Sequence, residues 1–211
     1  MFDALKKLKY GARVFLSRKG GEPEVVDVRG RPTAILSGGD GPPFVYLHST
    51  LGESMRWLPF HAAWSKHFTV YAPLHPGFGK SGGFEQIDTI EDMAFHYVDL
   101  FDALGLGEVI LGDNPDEERR LAGYQSMTVL ARLIWERPYD PKLPERLHRI
   151  QCPTLLLWGA NDKLVPPAYG EAYRKHLPQA ELKLIPECGH MGMFEKETEF
   201  VEAVTTFCRK G

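Results

Sequence analysis

The 211-residue sequence predicts an α/β protein, a mostly parallel sheet with flanking helices. Three observations carry that reading. Thr154–Trp158, reading TLLLW, is apolar on successive rather than alternate positions, as expected of a strand buried on both faces inside a parallel sheet. It is entered through Cys152-Pro153 and left through Gly159, and a second short apolar run recurs at Leu182–Pro186. Between the two, Pro166-Pro167 opens a helix, so strand, helix and strand alternate as in a βαβ unit. Asp162 and the dipeptide Gly189-His190 fall just past the ends of these strands, where open α/β sheets place their chemistry.

Those two segments resemble the α/β-hydrolase family. Its acid follows a strand of the form WGxxDxxVPP, matched by Trp158-Gly159, Asp162 and Val165-Pro166-Pro167, and its histidine follows the last strand, matched by Gly189-His190. The resemblance implies a single α/β-hydrolase-like domain over 1–211, with Asp162 and His190 as catalytic acid and base. The carboxylate would fix the imidazole tautomer and stabilise its charged form.

Composition narrows the function classes. A net charge of −3 argues against a dedicated nucleic-acid surface. Three cysteines, Cys152, Cys188 and Cys208, are odd in number and lack CxxC spacing, which predicts free thiols in a reducing, cytoplasmic setting. No run reaches membrane-spanning length and no signal-peptide core follows Met1. Neither a metal nor a cofactor is predicted.

In chain order, Phe2, Leu5, Leu8, Ala12 and Phe15 place one apolar face on a basic helix over 1–20, expected to pack on the sheet rather than rest on a membrane. Glu24–Val28 and Arg31–Leu36 read as a hairpin turning at Gly30-Arg31. Phe44–Leu47 is a buried strand ending at His48. In the family this strand ends in His-Gly and the following N–H forms half of the oxyanion hole. Here His48-Ser49-Thr50 stands there, so the resemblance makes Thr50 N–H the expected donor, with Ser49 crowding the loop and His48 orienting it.

A helix over 58–67 and a strand over 68–72 lead into Pro73–Ser81, similar to the family's APDxPGFGxS loop with Leu74 in place of Asp; Phe78 and Met191 are the expected pocket residues. Gly79-Lys80-Ser81-Gly82-Gly83 satisfies G-x-S-x-G as a string but follows the wrong strand, with no helix directly behind it, so Ser81 is not the predicted nucleophile. Asp88 is the expected cap of a helix whose apolar face is Ile90, Ala94, Tyr97, Phe101 and Leu104.

Glu108–Gly112 is the strand that in this family delivers the nucleophile serine. The chain continues Asp113-Asn114-Pro115-Asp116-Glu117 instead. Asn114 falls at the nucleophile position, and an amide cannot serve. Forty-eight positions separate Asn114 from Asp162, where the family fits an elbow helix, another central strand and a cap. Positions 113–150 read as a remnant cap-like helix (115–137) and a linker (139–149). The expectation is therefore a fold shortened by about one central strand and most of the cap, with 108–111 pairing directly with 154–158. A natural truncation, an engineered deletion and a curtailed sequence all fit the gap. As substitutes, Cys188, Ser126 and Ser49 each lack the elbow geometry.

Function then reads as an esterase-like lineage of ester, C–C or epoxide hydrolysis on a small apolar molecule, with its nucleophile missing. The alternatives are a non-catalytic binding relative, using Thr50, Phe78 and Met191, and a chain complemented by a second copy as a homodimer.

Overall fold

The computed structural model describes residues 22–49, 52–107, 109–114 and 142–210. The predicted helices over 1–20 and 115–137, and Thr50, lie outside these. The chain forms two compact units, whose described parts run 22–114 and 142–210.

The first unit holds a five-stranded sheet in the order β1-β2-β4-β3-β5. β1 (Glu24–Val28) and β2 (Arg31–Gly38) form an antiparallel hairpin in which Val28 pairs with Arg31. The turn residues are therefore Arg29 and Gly30, one position earlier than predicted, at φ 51° and 83°. Two positive φ values in a two-residue loop match the right-handed twist of the flanking strands. β2 runs antiparallel to β4 (Thr69–Pro73), while β3 (Pro43–His48) is parallel to both β4 and β5 (Ile110–Asn114).

Both faces of β3 are covered, which is why Phe44, Val45 and Tyr46 are all buried. On one face α1 (Pro59–Trp64) lays Phe60 and Trp64 against Phe44 and Tyr46, with ring centroids 5.0–5.8 Å apart. On the other, α2 (Ile90–Ala103) brings Tyr97 and Leu100 onto Val28 and Ile35, with Leu47 and Tyr71 alongside. Two expectations for α2 change. Its N-cap is Thr89, whose Oγ1 accepts the Asp92 N–H at 3.1 Å while the Asp92 carboxylate accepts the Thr89 N–H at 2.9 Å. Its buried face is His96, Tyr97 and Leu100, whereas Ile90 and Ala94 are exposed. Tyr97, Phe101 and Leu104 of the predicted face do pack on the core, and His96 joins them by bonding to Arg31 and Thr33 of β2.

β5 begins two residues later than predicted and runs to Asn114, because its register with β3 continues to the Leu47–Asp113 and His48–Asn114 pairs. Asp113 and Asn114, read as lying beyond the strand, are thus its last two residues.

The second unit opens with α3 (Leu143–Arg146) and a 3-10 turn at Leu147–Arg149, where an irregular linker was expected. β6 (Thr154–Gly159) and β7 (Ala180–Ile185) pair in parallel over six positions, with α4 (Ala168–His176) as the crossover. α5 (Gly192–Glu195) and α6 (Glu197–Cys208) close the unit.

The predicted pairing of 108–111 with 154–158 is not formed. Each strand satisfies one edge, β5 on β3 and β6 on β7, and no ladder joins β5 to β6 among the described residues. The prediction rested on the cost of unpaired strand edges. That cost says that an edge needs a partner without naming one, and β3 and β7 each supply it within their own unit.

Candidate active site

In the second unit the two strand ends carry the predicted pair. β6 ends at Gly159, and the chain turns so that Asp162 N–H donates to the Gly159 carbonyl at 3.2 Å. Asp162 is buried, and its Oδ1 accepts the N–H groups of Leu164 and Val165 at 2.9 and 2.8 Å. The Trp158 indole N–H donates to the Val165 carbonyl at 2.7 Å, tying the turn back to its own strand. Oδ2 is left for His190, whose Nδ1 lies 2.9 Å away. Burial pushes the Asp162 carboxyl up, but the hydrogen bonds from His190, Val165 and Leu164 outweigh it and hold it below its ordinary range. An ionised Asp162 requires Nδ1 of His190 to carry a proton, which leaves Nε2 as the basic lone pair. Nε2 makes no hydrogen bond among the described residues, and the side chain keeps 17% exposure.

Gly159 is required here by close approach: a Cβ would lie 1.9 Å from the Gly189 carbonyl oxygen and 2.6 Å from that of Cys188. The strand and the histidine turn meet backbone to backbone, with Asn161 N–H donating to Cys188 carbonyl at 2.8 Å. Cys188 is fully buried, and burial pushes its thiol up, away from a reactive thiolate.

In the first unit, His48 ends β3 buried and sandwiched between rings, with His75 at 3.8 Å and Phe78 at 4.7 Å between centroids. Its Nε2 accepts the His75 N–H at 2.9 Å, so Nδ1 carries the proton and donates to the Ser49 carbonyl at 2.5 Å. His75 returns the bond through Nε2 to the His48 carbonyl at 2.6 Å and accepts the Tyr97 hydroxyl on Nδ1. Burial, then the neighbouring His75, holds His48 well below its ordinary value, and burial pushes His75 down to about 4. Both rings are neutral and orient the loop. Ser49 donates both its N–H (2.9 Å) and its hydroxyl (2.6 Å) to the buried carboxylate of Glu53. The side chain expected to crowd the oxyanion loop is therefore drawn onto Glu53.

Ser81 is buried, accepts the Ala34 N–H and donates to the Leu74 carbonyl, each at 2.9 Å. Both its hydrogen-bonding roles tie the loop to the sheet, as expected of a structural serine. Phe78, read as a pocket residue, is 2% exposed and packs with Ala34 and Leu74. Met191 is half-buried, and its N–H is held by Glu195. Glu53, His75 and Glu195 were not singled out from sequence. Their only sequence signals are short offsets, Glu53 four after Ser49 and Glu195 five after His190. Among the described residues no cluster of His, Cys, Asp and Glu is placed to hold a metal.

A parallel α/β sheet with an acid and a histidine on consecutive strand ends defines a hydrolase-like class of protein. The model of the alpha/beta hydrolase fold matches residues 119–197. A 2-hydroxy-6-oxononadienedioate/2-hydroxy-6-oxononatrienedioate hydrolase 2 of Pseudomonas putida is 36% identical over 122 residues, 57% of this chain and 41% of that protein. The sn-1-specific diacylglycerol lipase ABHD11 of Mus musculus is 34% identical over 64 residues, 30% of this chain and 21% of that one. Among solved structures, a serine hydrolase involved in carbazole degradation superposes with TM-score 0.75 at 20% identity, covering 90% of this chain and 99% of its own. A membrane phospholipase A does so with TM-score 0.74 at 18% identity, covering 99% and 90%. The chain has the α/β-hydrolase fold and is similar to that family over the matched residues. Its matches span less than half the length of these curated relatives. No helix among the described residues is long and apolar enough to cross a membrane.

Proposed function

We propose that this chain descends from a serine hydrolase acting on small apolar molecules, by ester, C–C or epoxide hydrolysis, and retains the acid–base half of its triad without the nucleophile. The 2.9 Å contact between Asp162 Oδ2 and His190 Nδ1 carries the reading, because Asp162 is buried and locked by two further N–H bonds. In an intact triad, Nε2 of the histidine takes the proton of the attacking hydroxyl, and the acid stabilises the imidazolium that forms. The names of the relatives, a 2-hydroxy-6-oxononadienedioate/2-hydroxy-6-oxononatrienedioate hydrolase and an sn-1-specific diacylglycerol lipase, support a hydrolase lineage.

Among the described residues the nucleophile half has no candidate that fits. β5 ends at Asn114, at the register of His48, where the lineage carries its serine. Ser81 is committed to two buried bonds and Cys188 is a buried, raised thiol. We read 1–211 as one hydrolase-like domain in which the stretch after β5, up to 150, is the remnant of the cap, and the three free thiols fit a cytoplasmic setting.

The test is stopped-flow and steady-state hydrolysis of p-nitrophenyl esters and of a 2-hydroxy-6-oxodienoate, with fluorophosphonate labelling. Without a nucleophile, only binding and oxyanion donors remain, roughly 10³–10⁴-fold over water. The expected result is no burst, no label and no change in His190→Ala. Stoichiometric labelling of one serine, abolished in His190→Ala, would show an armed site and overturn the reading.

A further inference from the structure

The structure assigns Glu195 as the positioning residue of His190, a role that rests on the Asp162–His190 reading above. One carboxylate closes on both peptide neighbours of the histidine: Oε2 accepts the Gly189 N–H at 2.7 Å and Oε1 accepts the Met191 N–H at 2.9 Å. The backbone closes the same ring from the other side, since the Met191 carbonyl accepts the N–H groups of Phe194 and Glu195, each at 2.9 Å. Glu195 is thereby tied to Met191 through main chain and side chain at once.

Gly189 admits this approach. A Cβ there would stand 3.0 and 3.1 Å from the two carboxylate oxygens, tight enough to push the clamp aside. The far side of the turn is held by the turn after β6, through Asn161 N–H on the Cys188 carbonyl at 2.8 Å. His190 is left to move only by its own side-chain torsions, and those are taken up by Asp162. Acid and base are thus held alike: two N–H groups of its own turn fix Asp162, and two N–H groups flanking His190 converge on Glu195. Bonds to an ionised acceptor are the stronger class, which suits a clamp on the surface. A merely structural staple would contribute to melting temperature; a positioning clamp governs the ring.

The test uses the full chain, ¹⁵N-labelled, and reads two signals: the low-field proton on Nδ1 of His190, and amide exchange at Gly189 and Met191. In Glu195→Ala the Nδ1 proton is expected to broaden or vanish. Exchange at both amides should rise about tenfold or more, as loss of bonds to a charged acceptor demands. Glu195→Gln keeps one acceptor oxygen, so one amide stays protected and the proton signal is intermediate. Glu187→Ala, which removes an exposed ion pair to Lys196 from the same turn, should change neither signal. A sharp Nδ1 proton with parental exchange in Glu195→Ala overturns the assignment, and if that variant fails to fold, an unchanged Glu195→Gln does so. Asp162→Ala separates the two readings. If the proton survives there, the acid–base pair itself is wrong; if it is lost there but survives in Glu195→Ala, the pair stands and the clamp falls.

Discussion

At the residue scale, the serines show how hydrogen bonding sorts a structural hydroxyl from a chemical one. Ser81 sits in a string that satisfies the nucleophile motif, yet both its donor and its acceptor capacity face the sheet. Ser81→Ala leaves the Ala34 N–H and the Leu74 carbonyl without these bonds in a buried setting, at a cost of about 2 kcal/mol. Urea unfolding should record that loss, while fluorophosphonate labelling stays at its parental level. A Ser81→Ala protein of parental stability would show that the buried pair is dispensable. Ser49 is the same lesson inverted: as a residue type it looked like an obstruction, and only its 2.6 Å bond to Glu53 shows where the side chain goes. Nothing in the spacing of a serine and a glutamate four apart distinguishes that arrangement from ordinary surface.

At the element scale, β6 and the turn after β7 are joined by backbone contact, and one missing side chain makes this possible. Gly159→Ala drives a methyl to within 1.9 Å of the Gly189 carbonyl, so something must shift. Overpacking of this kind costs about 1–3 kcal/mol or more. The yielding part is expected to be the histidine turn. Gly159→Ala should therefore lose the His190 Nδ1 proton in NMR even where circular dichroism reports retained secondary structure, and a preserved signal would refute the coupling. α2 offers a milder case. Thr89→Ala removes the cap on Asp92 N–H and should destabilise by about 1 kcal/mol, whereas Thr89→Ser, which keeps the oxygen, should recover most of it in urea melts.

At the scale of the whole molecule, three buried histidines of the first unit and the half-buried His75 set the acid limit. Burial pushes His61 down to about 3 and His75 to about 4. Burial and then the Arg31 charge push His96 to about 4, and His48 lies well below its ordinary value through burial and His75. The unfolded chain binds protons at these rings from about pH 6.5 downward, while the folded chain resists until about pH 4 or lower. Across that window the unfolded state holds more protons, so stability falls as pH falls, by up to about 1.4 kcal/mol per pH unit for each histidine. Asp162, held low, behaves differently: its contribution persists until pH drops below the ordinary carboxyl range. Denaturant midpoints should thus decline steeply between pH 6.5 and 5, before carboxylates titrate. A flat profile there would mean that these rings are protonated when folded.

What the sequence by itself determined is the class of fold and the meeting of Asp162 with His190 beyond the ends of β6 and β7. β6 is legible as an unbroken apolar run, although its residues are half-buried rather than buried on both faces, and β7 as a short strand in which Glu181 and Lys183 stay exposed; Asp162 and His190 are legible because they stand at fixed offsets beyond those strands. Local signals also placed the hairpin, missing its turn by one residue. Tertiary structure alone decided which edge each strand uses, that His96 and Leu100 rather than Ile90 and Ala94 complete the buried face of α2, and which polar side chains hold the loops. The direct pairing of 108–111 with 154–158 failed because an unpaired edge states a need without naming a partner, and register is set by neighbours far away in the chain. Glu53, His75 and Glu195 were invisible for a related reason. A carboxylate or imidazole takes its role from the N–H groups that converge on it, and those are set by the path of the backbone rather than by residue type.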